Sequence, residues 1–169
     1  MDYYLSNDDV EQIVGHKINT IIYDQMDKVK NIDDLFINDC CLILYNWGMQ
    51  NNTILGHWCC LRRNKIGNKT IINFFDSYGK FIDDQLYKIP IKHIPNLSKL
   101  LYKFSIRKNC YVEFNNRHLQ KLDDKVATCG RWCGLFMKYK DVSIDDFGDI
   151  FLAYKKIIKP DLLVTLLTV

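Results

Sequence analysis

Two apolar runs separated by a polar turn constrain this chain more than any other feature. Leu55 to Arg63 and Lys69 to Phe75 both read as strands, and Asn64-Lys65-Ile66-Gly67-Asn68 between them carries Gly and Asn, which tolerate positive φ. The pattern is that of an antiparallel hairpin. Opposed residues in such a pair have a constant sum of residue numbers. Setting His57 against Asp76 centres the turn between Ile66 and Gly67, inside the turn cluster. Opposed residues share a face, with Cβ atoms about 4.5–5.5 Å apart. The hairpin therefore predicts a His–Asp pair in which the carboxylate accepts from Nδ1 and leaves Nε2 free as a base. An exposed surface pair is the other reading of the same two residues.

The rest of the chain reads as α+β, with helices on one side of the hairpins. Ser6 and Asp9 form a capping box with an acid in the usual Glu position, before a helix that Gly15 stops. Residues 18–39 read as loop with helical turns around Asp24 and Asp33. Strands are expected at Cys41–Tyr45 and Cys110–Phe114, and a helix over Asn96–Phe104. Thr128 suits the N-cap of a helix running to about Tyr139. Ser143 and Asp146 open another helix, reaching about Ile158, and Pro160 starts the last. Residues 1–169 form one domain on this reading, with enough chain to bury a substantial core.

Composition excludes several classes of function. A net charge of +3 is too mild to argue for nucleic-acid binding by itself. The longest apolar stretch, Leu162 to Val169, is far short of the roughly 20 residues a bilayer requires, so no membrane partner is expected. The polar residues after Met1 do not read as a secretion signal. Seven cysteines without such a signal suggest free thiols in a reducing compartment. Lys, Ile and Asn number 18, 20 and 14, and their A/T-rich codons suggest an A/T-rich genome.

Cys129 carries the chemistry. Behind a Thr128 cap it falls in the first helical turn, where the dipole and unpaired N–H groups stabilise a thiolate. Gly130 reads as a residue that keeps the approach to the thiol open, and the N–H groups there can bind an oxyanion. Cys133, four positions on, reads as core packing. Zinc fits poorly, because Cys40-Cys41 and Cys59-Cys60 are adjacent strand residues that point to opposite faces. No metal is expected. His16, His93 and His118 have no partner pattern.

Together, Gly56-His57-Trp58, Phe75-Asp76-Ser77, Leu119-Gln120 and Thr128-Cys129-Gly130 resemble the adenovirus-protease/Ulp1-like cysteine peptidases, over about residues 40–139. The closest likeness is to the maturation proteases of adenoviruses, virophages and large DNA viruses. Gln120 precedes Cys129 by nine positions, a wider gap than in Ulp1-type members. The resemblance implies a papain-related mixed sheet flanked by helices, with the catalytic cysteine at a helix N-terminus. It implies acyl transfer through a thioester, with Cys129 as nucleophile, His57 as base then acid, Asp76 as orienter and Gln120 as oxyanion donor. Cleavage next to small, Gly-type residues follows from the narrow cleft of such enzymes.

The resemblance further implies protein substrates, in particular viral capsid or core precursors, and a monomer acting in the virion and host-cell cytoplasm. Its adenoviral members use an activating peptide, bound through a cysteine disulfide, and DNA as cofactors. Cys110 occupies the comparable position here, although a small buried strand residue is the plainer reading. An isopeptidase removing ubiquitin-like modifiers, and a non-enzymatic module, are the competing functions.

Overall fold

The computed structural model describes residues 4–50, 53–89, 94–123 and 126–169. His93 lies outside them. A five-stranded sheet in the order β1-β2-β3-β4-β5 forms the centre, from Asn19–Ile22 (β1), Cys40–Gln50 (β2), Thr53–Ile66 (β3), Lys69–Phe75 (β4) and Cys110–Phe114 (β5). The middle strands pair antiparallel, and both outer strands join in parallel, so the sheet is mixed. The α+β class with a mixed sheet is what the sequence led us to expect. β1 lies in a segment read as loop, because four residues are too few to show an alternating pattern.

The hairpin between β3 and β4 forms with a register two residues from the expected one. Ile66 pairs with Lys69 and Cys60 with Phe75, which makes Gly67-Asn68 a two-residue turn with Gly67 at φ +60°. His57 instead pairs with Tyr45 on β2. A shift of two preserves the face to which every side chain points. Asp76, just past the end of β4, thus stays on the face of His57.

Helices cover both faces of the sheet, not one. On one face pack Asn7–Val14 (α1), Cys129–Lys138 (α3), Ile144–Ala153 (α4) and Pro160–Leu167 (α5), around Trp132, Phe136, Phe147 and Phe75. On the other lie Asn96–Ser105 (α2) and the 3₁₀ segments Tyr23–Lys28, Ile32–Leu35 and Asp84–Lys88, around Tyr23, Tyr45, Phe74 and Phe104. Alternation along the strands divides the paired cysteines as expected: Cys40 and Cys60 enter the first core, Cys41 and Cys59 the second. All seven cysteines are free.

Local signals explain the helix ends. The Ser6 Oγ accepts from the Asp9 N–H at 3.2 Å, the Ser6 N–H donates to the Asp9 carboxylate at 2.8 Å, and Gly15 ends α1 at φ +89°. Ser143 caps α4, which stops at Ala153, five residues before the expected end. At Gly130 a Cβ would lie 3.2–3.4 Å from Leu5, Trp58 and Val10. The glycine lets the N-terminal segment pack on α3, and this close approach accounts for it better than access to the thiol does.

The ends of α3 are tied into the sheet and the last helix. Arg62 of β3 is fully buried and donates to the carbonyl oxygens of Phe136, Tyr139 and Val142 at 2.7–3.0 Å, which satisfies acceptors at the C-terminal end of α3. Burial pushes its guanidinium down to about 10, so it remains charged at neutral pH. At the other end the carboxylate of Asp161 accepts from Thr128 Oγ1 at 2.5 Å, Trp132 Nε1 at 3.1 Å and the Lys121 N–H at 2.8 Å. Thr128 holds the N-cap position, but its hydroxyl serves Asp161 rather than the helix.

Candidate active site

β4 ends opposite Cys60, whereas β3 runs on to Thr53. The start of α3 packs against this part of β3 beyond the end of β4, with Gly130 on Trp58. The result is a cavity of about 300 Å³ lined by His57, Cys129, Gln120, Gly56, Trp47 and Tyr78, among others. His57, Asp76, Gln120 and Cys129 are all buried.

His57 Nε2 lies 2.8 Å from Asp76 Oδ1. The hairpin predicts Asp76 on Nδ1, so the nitrogen roles are exchanged. Asp76 occupies Nε2, which leaves Nδ1 free, and the nearby Cys129 also acts on the ring electrostatically. Burial by itself would push the imidazole down. The Asp76 charge and hydrogen bond, with help from Cys129, outweigh it and raise His57 to about 9. Burial likewise acts to raise Asp76, but His57, Gln85 and the Tyr78 N–H overcome it and lower its pKa below the ordinary value.

Asp76 is held from several sides. Gln85 Nε2 donates to Oδ2 at 2.7 Å and the Tyr78 N–H to Oδ1 at 2.8 Å. Asn115 Nδ2 donates to the Asp76 carbonyl at 2.7 Å and to that of Arg117 at 2.9 Å. Asn115 is thereby committed to backbone. Tyr78 stacks on the imidazole with centroids 4.5 Å apart, and Trp47 stacks at 5.9 Å. The sequence reading assigned no role to Gln85, Tyr78 or Trp47. Tyr78 stands two residues after Asp76, but nothing in the local pattern singles out Gln85 or Trp47.

Gln120 reaches the cavity despite the nine-residue gap. Its Oε1 accepts from Ser77 Oγ at 2.7 Å, and its Nε2 donates to Val126 O at 2.9 Å and Tyr78 Oη at 3.2 Å. Both amide hydrogens are engaged, so donation to a substrate requires one of these bonds to be exchanged. Cys133 is fully buried, with Sγ 3.4 Å from the Trp58 carbonyl. Cys110 is half-buried at the far end of β5, paired with Thr70 and packed on the second core, away from the cavity.

Among the described residues, one group of three possible metal ligands occurs: His57, Cys59 and Asp76, whose ligand atoms lie within 4.8 Å of one another. All three are buried, and burial, followed by the nearby Asp76 charge, keeps the Cys59 thiol well above its ordinary pKa. Two of the three residues, His57 and Asp76, are already hydrogen-bonded to each other. Among the described residues, no helix is long and apolar enough to cross a membrane.

The mixed five-stranded sheet, with a buried Cys–His–Asp arrangement at its end, has the fold of a viral cysteine protease. A crystal structure of the selenomethionine form of the ASFV pS273R protease matches with a TM-score of 0.51, over 99% of this chain and 68% of that one, at 11% identity. A second crystal structure of that protease matches at a TM-score of 0.46 and 14% identity, over 77% of this chain and 42% of its own. No protein-family model matches the chain. The uncharacterized protein V9 of Sputnik virophage is 34% identical over 176 residues, covering 98% of this chain and 94% of V9. The chain belongs to the same family as V9.

Proposed function

We propose that this protein is a viral cysteine endopeptidase that cleaves capsid or core precursor proteins next to small, Gly-type residues. One observation carries the reading. His57 is bonded to a buried carboxylate through Nε2 and lines the same cavity as a thiol at the first position of a ten-residue helix. A thiolate nucleophile needs a base and an orienting acid in this relation.

In the proposed reaction the Cys129 proton passes to His57 Nδ1, and the thiolate attacks the scissile carbonyl carbon. The N–H groups at the start of α3 and the Gln120 amide receive the oxyanion. His57 then gives its proton to the leaving amine, and the C–N bond breaks to leave a thioester on Cys129. Water, deprotonated by His57, attacks the thioester. The acid product departs and the thiol re-forms. The raised pKa of His57 favours the imidazolium that protonates the amine.

Trp47, Tyr78 and Gly56 wall a small cavity, which supports a preference for small residues beside the cleaved bond. Relatedness to a virophage protein supports a viral substrate. An isopeptidase acting on ubiquitin-like modifiers uses the same chemistry and is the second reading. Gly-containing peptides and ubiquitin-like conjugates, incubated with wild type and with Cys129→Ala, separate the two. Cleavage of the peptides by wild type alone supports the endopeptidase. Turnover restricted to conjugates supports the isopeptidase, and no turnover of either overturns both. Activation by DNA, or by a peptide on Cys110, is part of the proposal only if the same assay requires an additive.

A further inference from the structure

A second cavity, of about 390 Å³, lies on the far side of the loop that walls the candidate active site. Leu119, Val126, Pro160 and Leu162 give it an apolar floor, and Lys155 and Lys159 stand at its rim. Val126 lines both cavities, so a single residue separates this groove from Gln120, which bonds to its carbonyl. Both lysines are exposed, and among the described residues neither has a carboxylate within ion-pair distance. The one acid lining the groove, Asp161, is buried and spends its oxygens on Thr128, Trp132 and the Lys121 N–H. An apolar pocket beside unpaired positive charge fits an apolar side chain flanked by carboxylates.

We propose that this groove is an exosite for the substrate chain. It would hold a segment with a Leu-type side chain between acidic residues, on the same polypeptide as the cleaved bond. The inference rests on the endopeptidase reading. The groove's apolar lining favours a peptide over a nucleic-acid backbone, which would pair with the lysines and leave the floor empty.

The test uses three fluorescent peptides with one Gly-containing cleavable core: the core alone, and the core extended by Glu-Leu-Glu-Leu-Glu at one end or at the other. One of the extended forms should show a KM about five- to tenfold lower than the core at unchanged kcat, an advantage that fades with salt. The double variant Lys155→Glu/Lys159→Glu should lose that advantage, cleave the core peptide normally, and gain instead on a Lys-Leu-Lys-Leu-Lys extension. Equal KM for core and extended peptides overturns the exosite. So does a DNA oligonucleotide that binds through these lysines while peptide extensions have no effect. Fluorescence anisotropy with Cys129→Ala reads the groove without catalysis. Tight binding of the acidic extension without turnover by wild type contradicts the endopeptidase and leaves the groove standing. Absence of such binding overturns the exosite whatever the activity.

Discussion

At the scale of single residues, the site depends on which nitrogen of His57 faces which partner. Asp76 on Nε2 raises the imidazole to about 9 and leaves Nδ1 to exchange a proton with Cys129. The alkaline limb of kcat/KM should therefore fall near pH 9, where the proton destined for the leaving amine is lost. Asp76→Asn should move that limb to lower pH and cut the rate by up to about 10⁴-fold, as in a Ser-His-Asp enzyme. A pH–rate profile of both proteins checks this, and an unmoved limb would show that Asp76 does not set the histidine. Gln120→Ala should lower kcat by about 10²–10³-fold, the cost of one oxyanion donor. A loss of only a few-fold in steady-state kinetics would mean that the amide stays bonded to Val126 during turnover.

At the scale of elements, α3 carries the candidate nucleophile Cys129, and buried polar groups hold the helix at both ends. Arg62→Met leaves the Phe136, Tyr139 and Val142 carbonyls without their donor and should destabilise the fold by roughly 3 kcal/mol. Urea denaturation reads this as a lower midpoint at unchanged slope. What the sequence disclosed about the elements follows how local each signal is. Ser6, Thr128 and Ser143 lie beside the helix starts they mark, which are correct to within a residue, and Gly15 lies at the end of α1. The β3–β4 turn was visible, but its register was two residues off, because His57 had been assigned a partner on β4 when its partner is Tyr45 on β2. β1 and the clamp from Gln85 to Asp76 depend on contacts between distant segments and leave no periodic trace. The candidates His57, Asp76 and Cys129 could be singled out only because each stands in a recognisable local setting.

For the molecule as a whole, the His57–Asp76 pair links stability to pH. His57 is raised from 6.5 to about 9, so its contribution is complete below pH 6.5 and lost as pH rises through about 9. Asp76 is lowered from 3.8, so its contribution is complete above about pH 4 and lost as pH falls through its folded value. Stability should be greatest between about pH 4 and 6.5 and fall by a few kcal/mol by pH 10. Thermal melts across that range check the shape, and in His57→Ala the alkaline decline should shrink. Helices on both faces fix the sheet end where strand, loop and α3 converge, and the account stands or falls on covalent chemistry at that point. The most direct measurement is rapid-quench mass spectrometry with a Gly-containing ester or peptide substrate. The account predicts an acyl adduct on the proteolytic fragment carrying Cys129, which appears and decays with turnover and is absent in His57→Ala. Turnover without that adduct, or an adduct on another cysteine, would contradict it.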